Sequence, residues 1–293
     1  SGSCVALDAQ TGERVWIASL DDAGYYWTGA VQLNGFVVVG DTAGRLHAFD
    51  ITTGEEQDCL ALGSSISADA VVYNNTILIV TRGGVLHKIR VDANGELVSV
   101  AQQQVLGSCM AAPTVVGSTA VLCGTAVGSS NATALVLVNL ETFKVEQTIT
   151  QADGIALPQG GSAASALVST QPQGTYIYFT VNWAEEPDAT WSHYARGGNV
   201  YVYRIGDSEA KLLYAPGFNN ANYCDSQIVC DEEGNLYYLN DSGILVKLVG
   251  ASSKPGIETH EKNDTKAEQP KITSSIRNQN PNKLLTQTNT AQA

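Results

Sequence analysis

The residues best suited to chemistry in this sequence are aromatic and polar side chains gathered in three loop-like segments. Asp21 to Thr28 carries Tyr25, Tyr26 and Trp27 in a row; Asn182 to Asn199 carries Trp183, Trp191, His193, Tyr194 and Arg196; Gly217 to Tyr223 carries Asn220 and Tyr223. Three of the four tryptophans lie here, and flat aromatic faces beside adaptable polar groups suit a sugar or an extended peptide. The competing reading is that a long loop folds its own aromatics beneath itself as local packing.

Reactive constellations are weaker. Glu185, Glu186 and Asp188 sit in a polar loop, where carboxylates are ordinarily solvated charges and not an acid and base pair. His47 and His87 occupy matching places in LHAF and LHKI, which points to packing between repeats, and no metal-ligand set follows from spacing. Neither a GxGxxG, nor a P-loop, nor a GxSxG nucleophile motif occurs where its chemistry needs it, so no residue is assigned a catalytic role. The six cysteines, Cys4, Cys59, Cys109, Cys123, Cys224 and Cys230, form no CxxC pair. Disulfides and buried thiols both remain open, with Cys109–Cys123 and Cys224–Cys230 the pairs nearest in sequence.

The elements that must position these loops are strands. The chain has 293 residues, 44% hydrophobic and 15% charged, and its apolar residues recur with a period of two, without long 3.6-period runs. A formal net charge of -13 repels phosphate, which excludes nucleic acid as a partner. No apolar run approaches the roughly 20 residues of a membrane span.

Self-similarity organises the rest. Thr28 to Gly63 reads TGAVQLNGFVVVGDTAGRLHAFDITTGEEQDCLALG, giving strands at Ala30–Leu33, Phe36–Val39 and Arg45–Asp50, with turns at Asn34-Gly35 and Ala43-Gly44. Thr53-Gly54 then leads to a fourth, outer strand. Ala68 to Gln104 and Ser108 to Thr150 repeat the order, Ala163 to Pro216 is a stretched copy with an insertion, and Cys224 to Gly250 supplies three strands. A period of about 40 residues with several short strands per unit predicts an all-β propeller of four-stranded blades, about six of them visible. In a four-stranded blade, the loop between the second and third strands and the loop to the next blade leave on one face, where the three aromatic segments would converge.

The segment ALDAQTGERVW, with Ala6, Asp8, Thr11, Gly12 and Trp16, resembles the tryptophan-docking repeat of the pyrroloquinoline quinone (PQQ) enzyme family. A second copy keeps Ala48, Asp50, Thr53 and Gly54 but has Asp58 in the tryptophan's place. The resemblance implies a structural motif, in which Asp and Thr-Gly form the turn between third and fourth strands and the tryptophan packs on the neighbouring blade. Dehydrogenases of this family hold calcium beside the quinone with Glu, Asn and Asp, use an aspartate base and often carry adjacent cysteines. Those features cannot be placed here, so the expectation is a non-enzymatic branch without PQQ or calcium. Such a member would be a monomeric, extracytoplasmic scaffold at a bacterial cell surface that binds a protein or glycan. The alternative is a quinoprotein-like oxidoreductase whose site is shared with further blades.

The repeats begin mid-unit, with Ser3–Ala9 and Arg14–Leu20 reading as third and fourth strands. This suggests either part of a seven- or eight-bladed ring, or N-terminal strands that complete the last blade and close a six-bladed one. Residues 1–251 would form the propeller. From Ser252 to Ala293 the composition turns to Lys, Asn, Gln, Thr, Glu and Pro, which predicts a disordered tail or linker.

Overall fold

The computed structural model describes residues 2–182, 197–217 and 220–249. They belong to one compact unit, Ser1–Gly250. Every regular element among them is a strand.

The first sheet pairs β1 (Gly2–Leu7) with β2 (Arg14–Leu20). The second contains β3 (Val31–Leu33), β4 (Phe36–Gly40), β5 (Arg45–Asp50) and β6 (Glu56–Ala61), and the third β7 (Val71–Tyr73), β8 (Thr76–Val80), β9 (Val85–Val91) and β10 (Leu97–Gln104). The fourth contains β11 (Thr114–Val116), β12 (Thr119–Thr125), β13 (Thr133–Asn139) and β14 (Lys144–Ile149). A short hairpin follows, β15 (Gln151–Ala152) and β16 (Ile155–Ala156). The fifth sheet contains β17 (Leu167–Gln171), β18 (Gly174–Val181), β19 (Asn199–Arg204) and β20 (Lys211–Tyr214), and the sixth β21 (Val229–Cys230), β22 (Leu236–Leu239) and β23 (Leu245–Leu248). Each is an antiparallel meander in chain order, the blade of a propeller.

The hairpins form where the sequence offers left-handed residues. Asn34 and Gly35 (φ 53° and 89°) and Asn74 and Asn75 (φ 44° and 57°) supply two consecutive positive φ angles, whose twist matches the flanking strands. The β15–β16 hairpin turns on Asp153 and Gly154 in the same way.

The core lies between sheets and not within one. Val38, Leu46 and Ala48 of the second sheet meet Ile77, Ile79 and Ile89 of the third; Leu78, Val80 and Leu86 on the other face meet Ala120, Leu122 and Val136. Val121, Leu135 and Leu137 then meet Ile177, Phe179 and Tyr201. The second and third strands are consequently buried on both faces, whereas β6, β10 and β14 alternate between exposed and half-buried residues.

Neighbouring sheets are also fastened at the turns. Asp8 Oδ1 accepts the Gln10 and Thr11 N–H groups at 2.9 and 2.7 Å, and Asp50 Oδ1 accepts those of Thr52 and Thr53, both at 2.8 Å. Ala6 pairs with Trp16 across the first sheet, as Ala48 does with Asp58 across the second. Trp16 packs against Phe49 of the second sheet, and its indole N–H donates to Ile51 O at 2.9 Å. Asp58, in the equivalent place, accepts the Leu97 N–H of the third sheet at 2.7 Å. A hydrophobic dock has been replaced by a hydrogen-bonded clip.

Two sequence readings need correction. The first strand ends at Leu7, because Asp8 and Ala9 enter the turn that Asp8 caps. The six-bladed closure is not observed: β1 pairs with β2 and β23 with β22, and no ladder joins the two sheets among the described residues.

Gly54 (φ 73°) lies under the Trp16 ring, where an added Cβ would come 2.6 Å from the indole. Trp16→Ala is expected to cost about 3 kcal/mol through lost burial, and Gly54→Ala about 2 kcal/mol through φ strain and the clash. In the Trp16→Ala background, Gly54→Ala should cost only about 1 kcal/mol, the φ strain alone. Urea unfolding of the four proteins measures this coupling.

Candidate functional site

Five sheets converge on one cavity of about 550 Å³. Its wall is built from the residues just ahead of each innermost strand: Trp27, Thr28 and Gly29 before β3; Ser67, Ala68 and Asp69 before β7; Met110, Ala111 and Ala112 before β11; Ala163 and Ser165 before β17; and Asp225 and Gln227 before β21. Small residues recur here because the chains crowd together: Thr28 Oγ1 donates to Ala68 O of the next sheet at 3.3 Å, and Thr114 Oγ1 to Ala166 O at 2.7 Å. Asp69, Asp225 and Gln227 are exposed at the mouth. The surface therefore offers two carboxylates, amide and hydroxyl groups, and backbone.

The aromatic loop is divided by the structure. Tyr26 and Trp27 stack at 4.7 Å between centroids and stand 53% and 50% exposed, with Trp27 at the cavity in a left-handed backbone conformation (φ 57°). Such a conformation in a bulky residue stores strain. Tyr25 turns inward instead, its ring meeting His47 edge-on at 6.0 Å, and its buried hydroxyl has no hydrogen-bond partner. Burial first, and then neighbouring Cys4, Glu56 and Asp41, push its phenol up. Asn220 closes a local turn, its N–H donating to Gly217 O and its carbonyl accepting from Asn240 Nδ2 at 2.9 Å. Tyr223 lines a separate small cavity of about 50 Å³ beside Cys109 and Gly161. Trp183, Trp191, His193, Tyr194 and Arg196 lie outside the described residues, as do Glu185, Glu186 and Asp188. Sequence reasoning missed Ser67, Asp69, Met110, Asp225 and Gln227; the aligned position ahead of each innermost strand was the signal that could have found them.

A second polar cluster surrounds His47. Its Nε2 is 3.1 Å from Asp41 Oδ2 and its Nδ1 2.8 Å from Glu56 Oε1. Asp41 also accepts from the Arg45 guanidinium at 2.7 Å, which reaches on to Asp22 at 2.7 Å. Burial opposes the Asp41 charge, but hydrogen bonds from the Arg45 N–H, His47 and the guanidinium outweigh it and hold the carboxyl below its ordinary range. His87 occupies the same register in the third sheet, opposite Ile79 as His47 is opposite Val39. Neither of its ring nitrogens has a hydrogen-bond partner, and burial pushes its imidazole below the ordinary range.

The six cysteines are free thiols. Cys109 donates to Ala111 O at 3.4 Å, and burial pushes it up to about 12. Cys224 donates to Leu239 O at 3.3 Å, while Cys230 is exposed.

A family model described as outer membrane protein assembly factor BamB matches residues 1–180. The chain belongs to this BamB family. Its repeats are of the PQQ-like type. A BamB of Kangiella koreensis is 37% identical over 90 residues, which is 29% of this chain and 22% of that relative, so the match spans about a fifth of the relative's length. The crystal structure of BamB from Moraxella catarrhalis superposes with a TM-score of 0.50 at 16% identity, over 84% of this chain and 78% of that one. Hydrazine synthase of Kuenenia stuttgartiensis superposes with a TM-score of 0.56 at 16% identity, over 80% of this chain and 66% of that one. At this identity the likeness shows the fold, a propeller shared by a BamB and an enzyme.

The position of His87 sets a pH dependence. The unfolded chain takes up its proton near pH 6.5, whereas the folded chain resists it. The neutral site's contribution is therefore complete above about pH 6.5 and is lost as pH falls towards the depressed folded value. Val136 occupies the corresponding place in the fourth sheet, so the position accepts an apolar side chain. His87→Leu is expected to raise stability by about 1–2 kcal/mol by removing unpartnered buried nitrogens. It should also flatten the decline between pH 7 and 5 in denaturant titrations.

Proposed function

We propose that this chain is a non-catalytic scaffold that works outside the cytoplasm in the assembly of outer-membrane proteins. In this reading it grips a protein partner with the face that carries the cavity. The observation that carries it is the convergence of five sheets on one concave mouth, with the Tyr26–Trp27 stack exposed at its rim. Family membership supports the assembly role.

A protein segment suits this mouth better than a glycan. Among the described residues the wall offers backbone and small side chains beside the Tyr26–Trp27 stack, which suits an inserted peptide. Asp69 and Asp225 favour a segment with basic or amide groups. Exposed, strained Trp27 has the character of an anchor residue.

Trp27→Ala and Asp69→Lys are each expected to weaken the complex with an outer-membrane assembly partner about tenfold or more, roughly 1.4 kcal/mol. The thermal midpoint should stay within a few degrees. Binding measured with purified components reads the effect, and unchanged affinity in both variants would refute the proposed face. In the same preparation, PQQ with Ca²⁺ should cause no saturable quenching of tryptophan emission; saturable quenching would favour the oxidoreductase alternative.

A further inference from the structure

His47 stands at a position that is apolar in the fourth sheet, yet it is 2% exposed and surrounded by metal-ligand chemistry. Antiparallel register places it opposite Cys59. One residue further on Ala48 pairs with Asp58, and the β5–β6 ladder then skips Gln57, so that Phe49 pairs with Glu56. Side chains alternate across a sheet, so this bulge brings Glu56 to the face already shared by His47 and Cys59. A ring nitrogen of His47, a carboxylate oxygen of Glu56 and Sγ of Cys59 all lie within 4.8 Å of one another, and Nδ1 is the nitrogen that faces Glu56.

The hydrogen-bond inventory of the ring supplies an independent observation. Each His47 nitrogen faces a carboxylate oxygen, at 3.1 and 2.8 Å, and a neutral imidazole carries one N–H only. With Nε2–H donated to Asp41, the Nδ1–Glu56 contact is completed either by a second ring proton or, once Glu56 draws back, by a metal ion held between the two. The third sheet is the internal comparison: His87 has the same register and the same bulge. Its corresponding neighbours are Thr81, Ser99 and Gln102, and its nitrogens are unpartnered. The carboxylates and the thiol are thus particular to His47 and not a requirement of the repeat.

We propose that His47, Glu56 and Cys59 form a binding site for a borderline divalent cation of the Zn²⁺ type, with a fourth position open to water. Nδ1, one carboxylate oxygen and a thiolate are a three-ligand set for a tetrahedral ion. The thiolate and imidazole select against Ca²⁺ and Mg²⁺, which need many oxygens. Tetrahedral bonds of about 2.0–2.3 Å set ligand atoms roughly 3.5 Å apart, so Glu56 has to move back from Nδ1; its side chain is 43% exposed and free to do so. Asp41, locked by Arg45, is the positioning residue that fixes the tautomer from behind the ring.

Equilibrium dialysis of the full, reduced chain against Zn²⁺ tests the site, together with the absorption of its Co²⁺ adduct. Wild type is expected to bind one equivalent that is weakened about tenfold or more in Cys59→Ser and in Glu56→Gln, and unaffected in Cys230→Ser. Its Co²⁺ adduct should show a thiolate-to-metal charge-transfer band that Cys59→Ser abolishes. Both substituted residues are exposed on the outermost strand, and far-UV circular dichroism checks that the variants fold. Equal Zn²⁺ binding by wild type and Cys59→Ser, no Zn²⁺ binding by wild type, or a His47 ring carrying protons on both nitrogens at saturating Zn²⁺ would each overturn the proposal.

Discussion

Everything in this molecule depends on the fact that no single sheet can bury its own two faces. In the second, third and fourth sheets the second and third strands are largely buried on both sides, so such a blade becomes stable only between two neighbours. The packing of Leu78, Val80 and Leu86 against Ala120, Leu122 and Val136 is one turn of this chain of mutual burial. The turn contacts add direction: Trp16 and Asp58 each reach forward to the next sheet and fix the angle at which it docks.

That arrangement explains how a functional surface can arise from unremarkable residues. Apart from Trp27 and Met110, the cavity wall is made of Ala, Ser, Gly and Thr with a few acidic or amide side chains, none of which carries meaning in its own repeat. Meaning arises when five such positions, each from a different repeat, are brought together. The repeat and its turns were legible because Asn-Gly, Thr-Gly and period-two runs act locally. The mouth was not legible, because convergence depends on how successive sheets pack against one another. Aromatic loops drew attention first, and of the Tyr25–Trp27 run the described residues place Trp27 and its stacked neighbour at the cavity, while Tyr25 turns to meet His47. The β15–β16 hairpin was overlooked even though Asp153-Gly154 is a strong local signal.

The two histidines show where reading by repeat succeeds and fails. Their shared register was legible from LHAF and LHKI. Their different surroundings were not, since these depend on a bulge with no side-chain signature and on partners in other strands: Asp41 against Thr81, and Glu56 against Ser99. One repeat position thus holds an imidazole flanked by two carboxylates in one sheet and an unpartnered one in the next.

The turn between third and fourth strands holds its shape across copies that differ in sequence. Gly54 is pinned beneath Trp16, which explains why the two residues occur together. In the next copy the tryptophan has become Asp58, yet Gly95 remains, and an added Cβ would meet Gln57 and the Phe36 ring, each at 2.8 Å. The neighbouring chain has kept its close approach after the indole departed. In the fourth sheet, where Asn139 caps the equivalent turn, Phe143 takes the glycine's place in the same left-handed conformation (φ 55°) and Gln147 the tryptophan's, so the turn keeps its backbone shape in a copy that has neither residue.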